Sequence, residues 1–137
     1  MMVIALTFAW EGSGRGESIS SNRFTGVEWQ LSELSGHAVA PAVDRQQPFI
    51  FFDAAKKQVT GFAGCNRFFG WYQLEGEALK FGPIGTTKRT CPDLDEGVET
   101  EFFKALDATR RWEVAGGALR LMNDGRVMAR LQKIQGP

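Results

Sequence analysis

The sequence predicts a single α+β domain that is mostly β: a curved antiparallel sheet or barrel-like meander, with one amphipathic helix inserted before the C-terminal strands. Three observations predict it. Apolar residues alternate in short runs, as in Val27, Trp29, Leu31 and in Val127, Ala129, Leu131, which is the period of half-buried strands. Sixteen glycines supply the turns that many short strands need. One stretch switches to helical spacing, with Val98, Phe102 and Leu106 four apart. The 137 residues suit one domain, and a 43% hydrophobic content rich in Phe and Trp is enough for a packed core.

The elements follow in chain order. Residues 11–22 are rich in Gly and Ser and read as a flexible linker, so residues 1–22 form an N-terminal segment and the folded domain covers 23–134. Val27 to Leu34 is the first strand, ended by Ser35-Gly36, and the segment from Ala38 to Gln47, with Pro41, is a loop. Phe49-Ile50-Phe51-Phe52 is a fully apolar strand that stops at Asp53. From Lys56 to Ala63, Val59, Gly61 and Ala63 lie on one side, Thr60 and Phe62 on the other. Gly64-Cys65-Asn66 makes a turn or bulge. Phe68 to Leu74 and Ala78 to Phe81 form a hairpin about Glu75-Gly76-Glu77. Gly82-Pro83 breaks the chain, and Ile84 to Arg89 is short and extended.

Asp93 caps the helix, with Glu96 at capping-box spacing. Val98, Phe102, Ala105, Leu106 and Thr109 make its buried stripe. Acids gather in its first half, and Lys104, Arg110 and Arg111 at its end suit the helix dipole. Strands follow from Trp112 to Ala115, from Ala118 to Leu121 and from Arg126 to Leu131, joined at Gly116-Gly117 and Asn123-Asp124-Gly125. The last alternates Val127, Ala129 and Leu131 with Arg126, Met128 and Arg130.

Charge and motifs exclude several functions. Sixteen basic residues balance sixteen acidic ones, with no basic stripe for nucleic acid. No stretch reaches the ~20 apolar residues of a membrane-spanning helix. The opening Met-Met-Val-Ile-Ala-Leu-Thr-Phe-Ala-Trp has the length of a signal-peptide core but no basic residue before it. It reads either as the remnant of a leader or as a first strand or frayed end. His37 is the only histidine, there is no Gly-x-Ser-x-Gly elbow, and neither cysteine belongs to a Cys-x-x-Cys pair. The sequence therefore points to no catalytic residues, no metal site and no cofactor. Cys65 and Cys91 have three readings: a disulfide, which the even count in an exported chain favours, a pair of buried structural thiols, or a reactive thiol.

Taken in order, Trp29-Gln30-Leu31, the run Val59 to Phe68 with Gly61-Phe62-Ala63-Gly64-Cys65-Asn66 inside it, Leu79 to Ile84, Thr87 to Cys91, Glu101 to Leu106 and Leu119-Arg120-Leu121 resemble the META domain family, whose bacterial members include HslJ-like heat-shock proteins. The similarity runs from about Phe24 to Leu131. It implies an antiparallel barrel-like sheet with one helix, a cell-envelope and periplasmic setting, and roles in stress response, heat shock and antibiotic tolerance. The family has no agreed catalytic residues, and this chain lacks a lipobox cysteine near its start. The expectation is a non-enzymatic envelope module that binds a protein or other partner. Phe62, Phe68, Phe69, Trp71 and Tyr72 are the candidate contact patch, since they are more rings than one alternating face can bury. A thiol redox protein using Cys65 and Cys91 and a carrier of a small apolar ligand are the alternatives.

Overall fold

The structure is a computed structural model that describes residues 24–42, 46–92 and 96–134. The predicted N-terminal linker, the leader-like opening and the Asp93 cap lie outside the described residues. Among the described residues, ten strands and one helix follow in order: β1 (Glu28–Leu34), β2 (His37–Ala38), β3 (Phe49–Asp53), β4 (Gln58–Phe62), β5 (Arg67–Glu75), β6 (Ala78–Phe81), β7 (Gly85–Thr86), α1 (Glu96–Ala108), β8 (Arg111–Ala115), β9 (Ala118–Asn123) and β10 (Arg126–Lys133).

All pairings are antiparallel, and the sheet runs β10-β9-β8-β6-β5-β4-β3-β1-β2. β10 also pairs with β1, so hydrogen bonds run in a ring. The ring is not a clean barrel. β6 meets β8 at a single register pair, Ala78 with Arg111, whereas β4 and β5 share a full five-residue ladder. Short hairpins force this topology, because each turn returns the chain beside the strand it has just left. Asp124 and Gly125, both at positive φ, make one such reversal between β9 and β10.

Two β-bulges curl the sheet. One lies between Leu31 and Glu33, where the Ser32 hydroxyl donates to the Arg130 carbonyl at 3.0 Å. The other lies between Val127 and Ala129 and corrects the simple alternation expected of β10: the extra residue turns Met128 onto the core.

The core fills the inside of the curl. Trp29, Leu31, Ile50, Phe52, Val59, Phe68, Leu79, Leu119, Leu121 and Leu131 point inward with almost no exposure. Phe24, ahead of β1, is also fully buried and packs on Phe52 and Trp112 with centroids 4.8 and 4.5 Å apart. Its carbonyl accepts the Trp29 Nε1–H bond at 2.9 Å, so the indole is satisfied without water.

Helix α1 buries Phe102, Ala105 and Leu106 of the predicted stripe; Val98 is only partly buried, and Thr109 is buried just beyond the helix end. It packs against β1, β6, β9 and β10, and Phe68 of β5 meets Phe102 and Phe103 edge-on at 5.7 Å. Strands on opposite sides of the ring thus touch one helix, which closes the curl. Its end corrects the expectation. Arg110 and Arg111 lie beyond Ala108, and Arg111 opens β8. Arg110 still serves the helix terminus by donating to the carbonyls of Asp107 and Thr109 at 2.9 and 2.7 Å. Asn123 Nδ2 donates to Ala108 O, and Thr109 Oγ1 to Ala105 O.

Candidate functional site

Gly61 lies on the inner face of β4, opposite Phe68 of β5. A Cβ there would collide with the Phe49 carbonyl and the Phe68 ring, so the missing side chain is the space the ring occupies. Two residues after β4, Gly64 takes φ +121°, a value that side-chain-bearing residues rarely adopt. That conformation turns the chain so that the Ala63 N–H donates to Asn66 O at 2.9 Å. It also aims the next two N–H groups at helix α1.

Both N–H groups find one carboxylate. Glu99 Oε1 accepts from Cys65 N at 3.1 Å and from Asn66 N at 2.8 Å, and Oε2 accepts from Asn66 Nδ2 at 2.9 Å. Asn66 Oδ1 accepts from Thr87 Oγ1 at 2.9 Å and from the Arg89 N–H at 2.6 Å. Asn66 is only 8% exposed. One side chain therefore joins the β4–β5 turn, the segment after β7 and helix α1. Charge-assisted bonds of this kind exceed neutral ones in strength. Glu99 was not foreseen: its signal is an acid one turn before the buried Phe102, and only the folded chain shows which N–H groups face it.

Beside this junction Cys65 and Cys91 are bridged, with Cα atoms 6.0 Å apart. The disulfide reading holds, and Cys65 is buried. Neither sulfur is a thiolate in this state, so the pair offers no nucleophile. Within the motif Gly61, Gly64, Cys65, Asn66, the Cys65 and Asn66 N–H groups and the Asn66 amide all bond within the fold. His37 lies exposed on β2.

The aromatic residues divide by strand parity. Phe68 and Tyr72 point inward and are buried, which corrects their place in the expected patch. Tyr72 Oη donates to the Asp53 carbonyl at 3.3 Å. Burial, and secondly the Asp53 carboxylate, raise the Tyr72 hydroxyl above its ordinary pKa of 10.0. Phe69 and Trp71 point outward and are 55% and 57% exposed. The half-buried Phe62 shares their face and stacks on Phe49 at 6.5 Å. Phe51 joins them, because β3 and β4 pair Phe51 with Thr60 and β4 and β5 pair Thr60 with Phe69. The fully apolar run Phe49 to Phe52 is therefore split by parity: Ile50 and Phe52 inside, Phe49 and Phe51 on the outer face. The Phe69 ring lies over Gly85 of β7, the outer counterpart of Phe68 over Gly61.

Next to Trp71 a groove of about 580 Å³ runs over Gly82 toward the end of α1. Gln73, Lys80, Pro83, Phe103 and Asp107 help to line it.

Among the described residues, a ring-closed antiparallel sheet, a disulfide and a helix packed against the ring define a small β-rich module with an aromatic outer face. The chain belongs to the META domain family, whose model matches residues 22–135. Among solved structures it is similar to a protein from Burkholderia xenovorans, with TM-score 0.65, 22% identity, and 85% of this chain and 87% of that chain covered. It is also similar to a DUF4847 family protein from Bacteroides vulgatus, with TM-score 0.59, 15% identity, and 85% and 96% covered. At these identities the likeness shows the fold alone. No curated protein matches the chain.

Proposed function

We propose that this META domain is a non-enzymatic binding module of the cell envelope that acts in stress responses, using the outer face of β3, β4 and β5. The observation that carries the reading is the pair of exposed rings, Phe69 and Trp71, on a face already half apolar through Phe49, Phe51 and Phe62. A sheet face with no partner ordinarily carries polar residues at such positions, and contiguous exposed rings mark contact surfaces. The disulfide supports an oxidising compartment, since such bridges are rare where thiols are kept reduced. No described helix is long and apolar enough to cross a membrane. The carrier alternative loses support because Phe24, Trp29, Phe52, Phe68 and Phe102 fill the inside of the curl.

The test is photo-crosslinking in heat-stressed cells from a reactive amino acid placed at Thr60, which lies between Phe51 and Phe69 on that face. A discrete adduct that disappears in Phe69→Ser/Trp71→Ser is the expected result. An adduct pattern unchanged in the double variant, or none at all, refutes the reading.

A further inference from the structure

We propose that the groove beside Trp71 is a saccharide-binding cleft, with the Trp71 indole as platform for a pyranose ring and Gln73, Lys80 and Asp107 as partners for its hydroxyls; this rests on the binding-module reading and names the ligand class. The groove's volume of about 580 Å³ is of the size that holds a small ligand. Its form fits a sugar in three ways.

First, a pyranose has an apolar face of C–H groups and a rim of hydroxyls that both donate and accept. The groove offers both: the exposed indole of Trp71 with Pro83 and Phe103, and one amide, one ammonium and one carboxylate. These polar groups supply donors and acceptors with no net charge, which favours a hydroxylated neutral ligand over a strong anion or cation.

Second, the capacity of those groups is unspent. None of the side chains of Gln73, Lys80 and Asp107 makes a hydrogen bond or ion pair among the described residues. This contrasts with Glu99 and Asn66, whose side chains are engaged within the fold.

Third, two of the residues sit where folding alone would choose otherwise. Asp107 is in the last turn of α1, where the helix dipole disfavours an anion. Arg110 donates to the Asp107 and Thr109 carbonyls and not to the Asp107 carboxylate. Trp71 is an exposed ring where a polar β-former would serve the sheet. Residues that break a local rule without a gain in the fold point to a site.

The experiment is calorimetric titration of the full chain with cellotetraose and, separately, with the tetrasaccharide of N-acetylglucosamine, repeated on Trp71→Ala and Asp107→Ala. The two probes separate plain from N-acetylated sugars. The expected result is saturable binding of at least one tetrasaccharide, weakened about tenfold or more by Trp71→Ala at an unchanged melting temperature. Absence of saturation by either sugar up to about 10 mM overturns the proposal, as does equal binding by Trp71→Ala. If the Thr60 crosslink persists and depends on the rings while neither sugar binds, the saccharide assignment falls and the binding-module reading stands. If the sugar titrations and the crosslink both fail, both fall.

Discussion

Replacing Asn66 with Ala removes the side chain that joins three parts of the fold, and its cost can be worked bond by bond. The amide nitrogen gives one bond to the Glu99 carboxylate at 2.9 Å, which is charge-assisted and contributes about 1.5–3 kcal/mol. The amide oxygen takes bonds from Thr87 Oγ1 and Arg89 N, each contributing about 0.5–1.5 kcal/mol. Thr87 and Arg89 are exposed, so water replaces part of what they lose. The contact from Nδ2 to the Arg89 carbonyl, at 3.4 Å, is too long to count for much. The expected loss is about 3 kcal/mol, a drop in melting temperature on the order of 10 °C for a domain of this size. Denaturant unfolding followed by circular dichroism measures it. Asn66→Asp sharpens the test: it keeps an acceptor for Thr87 and Arg89 but sets a second carboxylate against Glu99, so it too destabilises. The double variant Asn66→Ala/Glu99→Ala falls short of the sum of the singles, because the two share a bond. An Asn66→Ala protein within about 0.5 kcal/mol of wild type refutes the view that this side chain ties the turn to the helix.

Three further outcomes are expected. Cys65→Ser/Cys91→Ser loses about 3–4 kcal/mol in guanidinium unfolding, the chain-entropy value for a closed loop with a separation of 26 residues. Gly61→Ala costs about 3 kcal/mol in the same assay, since its Cβ meets the Phe49 carbonyl, which cannot yield, as well as the Phe68 ring. Tyr72 is the only tyrosine, so tyrosinate absorbance reports it alone, and its midpoint lies above 10.0 in the folded protein. The fold favours the protonated hydroxyl; this contribution is fully present below the unfolded value and is lost as pH rises through the folded one. A midpoint at or below that of the unfolded chain contradicts the assigned burial.

Period-two alternation carried most of the fold. Trp29 and Leu31, Val59 and Gly61, and Leu119 and Leu121 point inward as their spacing requires. The same rule, applied strictly, separates Phe68 and Tyr72 from Phe69 and Trp71. Reading residues 62–72 as one aromatic cluster hid that parity. Met128 escaped because a bulge adds a residue to the strand, and bulges leave little trace in hydrophobic pattern. Phe24 escaped because it precedes the first strand and is held by long-range ring contacts. The charge of Arg111 suits either a helix end or a strand edge, and its pairing with Met122 and Ala78 in the sheet shows only in three dimensions. The Gly64-Cys65-Asn66 turn was legible from backbone chemistry. Its carboxylate partner was not, being 33 positions away on another element. The groove joins β5, β6 and α1, so no contiguous motif could announce it.

The pairing of β1 with β10 sets Trp29 beside Lys133, residues separated by nearly the whole domain. The ring cannot close during synthesis until its final strand has been made, so a nascent or truncated chain exposes the edges of both strands. The same adjacency brings the two ends of the domain together, with Ile134 N donating to Glu28 O. A short bridge between them, and a new opening at Gly116-Gly117, would yield a rearranged chain with the same ring and an altered order of assembly.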